Sequence, residues 1–386
     1  MSQEDANGLR RVQFAMISRR SFLGASLTVA TLGANAPLAF AQKDAAPVPL
    51  RLTFDTAAVS RLLDLQAAKD DSDAAVAALL ALPAYLTVIR VGEAEGSLTR
   101  EGLARNAKAV IRSEATPRSQ PREDAARLLV NNPESYRVLL KDLAESGAAR
   151  SARIAAHLAR FTPDTVRKGA PIAQTVYLHL GGTWDALNVQ GDVFLNLHYW
   201  AEYNRPALDG LNLVVAHETL HTIQTRAFGN PERQDTGAGA FFTALSKIQR
   251  EGTARYAEEN TDPEPYAPYT YGFFYRAIDN ETVRDFARLP RLLEPLHAAC
   301  FPVFDRERFV ELYSRGMNNG GDFYALGHGV AKAIDDRAGR AALVETVAGG
   351  PQVFWSRYVA LQKKHAALPR LPDAVTARIA NAETFR

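Results

Sequence analysis

His217-Glu218-Thr219-Leu220-His221 is the segment that most restricts what this chain can fold into. It lies in a stretch, Leu211 to Phe228, that reads as a buried helix. Leu213 to Ala216 lead in, and Leu220, Ile223 and Ala227 continue an apolar stripe at helical spacing. Two imidazoles four residues apart on a helix project from one face, one turn apart. At that spacing both can hold a single Zn²⁺, while the glutamate between them lies beside the ion, placed to take a proton from water. The plainer alternative is a core helix whose two histidines are satisfied by hydrogen bonds.

A catalytic zinc takes three protein ligands and keeps one position open. The extension H-E-x-x-H-x-x-G-x-x-H is not met, because Gln224 stands at its glycine and Ala227 at its last histidine. The next candidate is on a second helical stretch, Phe241 to Glu259. A polar, glycine-rich turn, Gly229-Asn230-Pro231 through Gly237-Ala238-Gly239, joins the two. Helices so joined can pack antiparallel and bring Glu251 to face the histidines. Asp235 in the turn is the substitute ligand, and a surface carboxylate like Glu258 and Glu259 is the plainer reading of Glu251.

Glu251-Gly252-Thr253-Ala254 is similar to the E-G-x-A segment on the third-ligand helix of gluzincin metallopeptidases, notably their aminopeptidase-type branch. The order H-E-x-x-H, loop, E-G-x-A is that clan's arrangement. More closely, the chain resembles the clan's uncharacterised bacterial zinc-dependent peptidases, from about Leu50 to the C-terminal helices. The resemblance implies zinc ligands at His217, His221 and Glu251 and a general base at Glu218. One departure stands out: the thermolysin-type pattern has an aspartate four residues after the third ligand, and this chain has Arg255 there. The groups orienting the ligands must therefore differ. No segment matches the clan's motif for recognising a substrate's N-terminal amine, which argues against an aminopeptidase.

The first residues read as an address. Ser18-Arg19-Arg20-Ser21-Phe22-Leu23-Gly24 matches a twin-arginine export signal, a mild apolar run follows to Ala34, and Ala39-Phe40-Ala41 offers a cleavage site. The run is shorter than the about 20 residues that span a bilayer. No cysteine stands at the cleavage point, so neither a lipid nor a stable membrane anchor is expected. Met16 is an alternative start. The expected destination is the periplasm or the exterior, reached through the twin-arginine machinery, and the lone Cys300 suits folding without disulfides. Four arginines against Glu4 and Asp5 in residues 1–41 account for the whole net charge of +2. The remainder is about neutral and gives no reason to expect nucleic acid or an anionic membrane as partner.

Beyond residue 41 the expectation is an α+β, mainly helical fold, in a helical N-terminal region (42–165) and a metallopeptidase-like region (166–386). Leu50 to Phe54 reads as a short strand, with Asp55 or Thr56 capping a helix through Ala68. Helices divided by Pro83, Pro117, Pro121 and Pro133 follow to about Phe161. Gln174 to Leu180 and Asp192 to Leu197 alternate like strands of a small antiparallel or mixed sheet just before the motif helix. In gluzincins an edge strand pairs with the bound peptide, and either strand could serve. The prolines and tyrosines of Thr261 to Tyr271 read as a loop packing its own rings, with a cleft wall as the alternative.

Hydrolysis at zinc builds charge on the carbonyl oxygen, and gluzincins steady it with a Tyr or His from a later helix. Tyr324 and His328 share a face of the helical segment Tyr324 to Ala331, where Gly327 and Gly329 permit close packing. A packing site with no chemical role is the alternative, and Tyr256 is a weaker donor candidate. His179, His198 and His297 have no supporting spacing. The reading is an exported zinc peptidase acting on peptides or proteins. The rivals are a zinc hydrolase of another amide, such as a cell-wall crosslink, and a non-catalytic binding protein on the same scaffold.

Overall fold

The computed structural model describes residues 47–114, 133–182, 184, 186–197, 208–230, 234–259, 286–287, 289–317 and 321–381. The export signal, Pro117, Pro121, His198 and the Thr261–Tyr271 segment lie outside the described residues. The architecture is mainly helical around one small mixed sheet. Strands β1 (Leu50–Asp55), β2 (Ile172–His179), β3 (Ala186–Val189) and β4 (Asp192–Asn196) are ordered β1-β2-β4-β3. β1 runs parallel to β2 with Leu50 opposite Ile172, and β2 parallel to β4 with Val176 opposite Val193. β3 folds back antiparallel on β4, Leu187 opposite Phe194.

The N-terminal half supplies helices α1 (Ala57–Ala68), α2 (Asp73–Leu80), α3 (Pro83–Glu95), α4 (Arg100–Ile111), α5 (Pro133–Leu158) and the short α6 (Asp164–Arg167). Of the two residues expected to cap α1, Asp55 supplies the bond: its Oδ1 accepts from Ala57 N at 2.8 Å, whereas the Thr56 side chain makes no cap. Pro83 starts α3 at a position where its missing N–H costs nothing. Pro133 likewise opens α5.

The C-terminal half contains α7 (Leu208–Phe228), α8 (Gly237–Glu259), α9 (Leu293–Cys300), α10 (Arg306–Met317), α11 (Asp322–Ala338), α12 (Arg340–Lys364, kinked at Gly350) and α13 (Asp373–Ala380). α7 carries the histidine motif and buries Leu211, Val214, Val215, Leu220 and Ile223. Arg150 of α5 ties to it by donating to Asn212 Oδ1 at 3.0 Å. α8 starts four residues earlier than the sequence suggests. Thr236 Oγ1 accepts from Gly239 N at 3.1 Å, which turns Gly237 to Gly239 into a helical turn. Gly237 is required there, because a Cβ would lie 2.1 Å from the Cys300 carbonyl oxygen.

α8 and α11 touch backbone to backbone. A Cβ on Gly252 would lie 2.0 Å from the Gly327 carbonyl carbon, and one on Gly327 2.0 Å from the Ile248 oxygen. The expectation of close packing at Gly327 is thus met by α8, while Gly329 faces the Phe286 ring. α12 closes the layer with Phe354, Trp355 and Tyr358, all fully buried, and Trp355 Nε1 donates to Leu245 O of α8 at 3.1 Å. Among the described residues no single helix is long and apolar enough to cross a membrane; α2 and α3 pass that test only as a pair, bent by 82°.

Candidate metal centre

The hairpin of α7 and α8 brings His217, His221 and Glu251 together, with one donor atom of each within 4.8 Å of the others. Both imidazole Nε2 atoms lie 3.3 Å from the same carboxylate oxygen, Oε2 of Glu251. The edge of a tetrahedron with zinc-to-ligand bonds near 2.05 Å is about 3.3 Å, so the donor spacing suits that ion. The two rings stand 4.9 Å apart and nearly perpendicular. Asp235, the substitute ligand, is exposed at the foot of α8 instead.

The outward nitrogens face partners elsewhere, which leaves each Nε2 able to ligate a metal ion. His221 Nδ1 donates to Gln224 Oε1 at 2.9 Å, and the Gln224 amide in turn donates to Arg250 O at 3.0 Å. The residue that breaks the metzincin pattern is therefore the one that orients His221. His217 Nδ1 lies 3.3 Å from Glu258 Oε2, and Arg255 Nη1 donates to that same oxygen at 2.7 Å. Arg255 and Glu258 are 3% and 8% exposed, so the pair is desolvated. The orienting carboxylate of this chain is thus Glu258, with Arg255 behind it.

Sequence reading missed Glu258, although one signal was present: it follows Glu251 by seven residues, two turns along the same helix face. It also missed Arg250. That guanidinium crosses to α7 and donates to Gly229 O (3.1 Å), His221 O (3.3 Å) and Thr225 Oγ1 (2.9 Å), joining the two helices beside the site.

Charge in the site is arranged for a cation. Burial alone would depress the pKa of His217, but Glu251 and Glu258 override it and raise it to about 10. Burial likewise would raise Glu251, yet Lys247 and the two histidines hold it well below the usual carboxylate range. A metal ion bound there would have to replace the proton that these carboxylates otherwise favour on His217. Glu218, half-buried on α7, is pushed up by burial, with His217 and His221 pulling it partly back. A carboxyl group raised in this way holds a proton more readily than a free one, as a general base must.

The sheet reaches the site through β3, which the sequence reading did not find. Asn188 Nδ2 donates to Glu218 O at 2.8 Å and to Thr222 Oγ1 at 2.9 Å, and Gln174 of β2 donates to the same hydroxyl at 2.9 Å. Among the described residues β3 and β1 are the two end strands, and β3 is the one that contacts the motif helix through Asn188. β2 and β4 each have neighbours on both sides, so neither Gln174–Leu180 nor Asp192–Leu197, the two strands expected to pair with a peptide, can serve as the edge.

Tyr324 and His328 lie on α11, across the glycine contact from α8. His328 is buried, its ring 5.5 Å from that of Tyr256, and Tyr324 is half-buried one turn earlier. Tyr256, the weaker donor candidate, is occupied: its hydroxyl donates to Asp335 Oδ2 at 2.6 Å. His179 is buried at the end of β2 with Nδ1 3.0 Å from Gly181 O, and His297 packs against Phe241 and Phe301.

The profile of one protein family, described as "Putative zinc dependent peptidase (DUF5700)", matches residues 76–367. The match takes in the motif helix, Glu251 and α11, and the chain belongs to that family. Searches of curated proteins and of solved structures found no match.

Proposed function

We propose that this chain is an exported zinc peptidase of the gluzincin type, with His217, His221 and Glu251 as ligands. The observation that carries the reading is the convergence of two Nε2 atoms on one Glu251 oxygen at 3.3 Å, with Glu218 on the adjoining turn. When bound there, zinc supplies a Lewis acid for the scissile carbonyl and for water. The Glu218 carboxylate takes the proton of the attacking water and passes it to the leaving amine. Glu258 and Gln224 keep both imidazoles aimed at the ion. β3 offers the backbone edge along which an extended peptide would pair. Of the two oxyanion candidates Tyr324 is favoured, being half-exposed where His328 is buried. The substrates are peptides or proteins outside the cytoplasm, reached through twin-arginine export, with no role for nucleic acid and no stable membrane anchor.

The test is a Glu218→Gln variant. It keeps zinc, because its side chain is not a ligand, and it loses peptide hydrolysis by about 10²–10⁴-fold, the usual worth of a general base. Metal analysis and a mixed-peptide assay read the two together. Full activity in that variant sinks the mechanism.

A further inference from the structure

Glu251 has two oxygens, and the structure assigns them to different partners. Oε2 faces both imidazoles at 3.3 Å. Oε1 lies 2.7 Å from the ammonium of Lys247, four residues earlier on α8 and therefore on the same face one turn back. That distance is short for a nitrogen–oxygen pair, as a charge-assisted hydrogen bond should be. The glutamate is 4% exposed, so its second oxygen has little water to turn to. The lysine side chain keeps about a third of its surface open.

A carboxylate ligand can bind a metal through one oxygen or both. With both, Glu251 would fill the position that a catalytic zinc must keep open. We propose that Lys247 is a positioning residue that occupies Glu251 Oε1, restricts the ligand to one oxygen and so preserves the open coordination position. The ammonium also draws electron density from the carboxylate, which makes Glu251 a weaker donor and the ion a stronger Lewis acid. The proposal rests on the metal-site part of the function argued above and not on hydrolysis.

The direction of the effect separates it from a merely structural role. Loss of an ordinary supporting residue weakens metal binding. Loss of Lys247 frees Oε1 to ligate, so metal binding tightens while the open position closes. The probe is Co²⁺ alone, whose visible absorption weakens as its coordination number rises. Wild type should give an intense four-coordinate band. Lys247→Met should lose at least about half of that intensity, as expected for expansion to five ligands, and should release Co²⁺ to a chelator about tenfold more slowly. Lys247→Arg, which keeps the cation, should restore the wild-type band. Should methionine at this site not fold, Lys247→Gln, which lacks the charge, carries the same comparison. A band of unchanged intensity in the neutral variants, or faster metal release from them, overturns the proposal. Wild type that takes up no Co²⁺ overturns both this proposal and the function. Wild type that shows the band yet cleaves no peptide overturns only the function.

Discussion

Replacing Glu258 by glutamine removes one charge behind His217 while keeping the side chain's shape. In the native site Glu258 Oε2 lies 3.3 Å from His217 Nδ1 and accepts from Arg255 at 2.7 Å. Loss of such an orienting carboxylate typically costs 10–100-fold in metal affinity, about 1.4–2.7 kcal/mol. Because Glu258 is only 8% exposed, solvent screens little of this and the upper half of the range is expected. An opposing effect shares the same charge. Glu251 and Glu258 hold the His217 pKa at about 10 against burial, and a metal must displace that proton. In the variant the proton is held less tightly, so the loss of affinity is smaller at pH 7 than at pH 9. Chelator competition at both pH values measures it, with circular dichroism to confirm the fold. Glutamine is the right probe because its amide oxygen can still accept from Arg255, whereas alanine would remove that acceptor as well as the charge, and breaking a buried pair costs about 3–5 kcal/mol in stability. An affinity within about twofold of wild type at both pH values, with the fold intact, refutes the orienting role.

Two further outcomes follow from the packing around the site. Gly327→Ala places a Cβ 2.0 Å from the Ile248 oxygen and 2.7 Å from Gly252 Cα, where no flexible side chain can yield. α8 and α11 must separate at a cost of at least about 1–3 kcal/mol, and the shift of Glu251 weakens metal binding; an unchanged melting temperature counts against the contact. His179 gives the metal-free protein a pH dependence. Burial depresses its pKa from 6.5 to about 4, so between those values the unfolded chain binds the proton and the folded chain does not. Its contribution is complete above pH 6.5 and falls by about 3 kcal/mol as the pH drops to 4. His179→Gln should flatten urea-unfolding free energies over that window by the same amount, and an unaltered slope refutes the assignment.

Local spacing made much of this legible. The motif helix, the Glu251 helix and the close-packed Gly327 helix could each be read because their signals repeat within a few residues. β3 could not, since its four residues, Ala-Leu-Asn-Val, carry no clear alternation. Its hairpin is closed by Gln190 and Gly191, both at positive φ, where an Asn-Gly pair would have been the recognisable signal. Strand order was hidden for another reason. Alternation marks Leu50–Phe54 and Gln174–Leu180 as strands, but nothing local says that Leu50 pairs with Ile172. Glu258 was misread because its worth depends on Arg255 and His217 being buried with it. The periodicity that placed it on the Glu251 face was visible, and the desolvation that gives it a role was not.

The donor atoms that converge on one point belong to residues 34 positions apart in the chain, His217 and Glu251. A bound ion would therefore act as a cross-link as well as a reagent. By the entropy of closing a loop of that length, such a link is worth about 3–4 kcal/mol against the unfolded chain. That is a sizeable share of the about 5–15 kcal/mol by which folded domains usually survive. Metal supply would then bear on the lifetime of this chain among proteases, with the filled protein unfolding less often than the empty one.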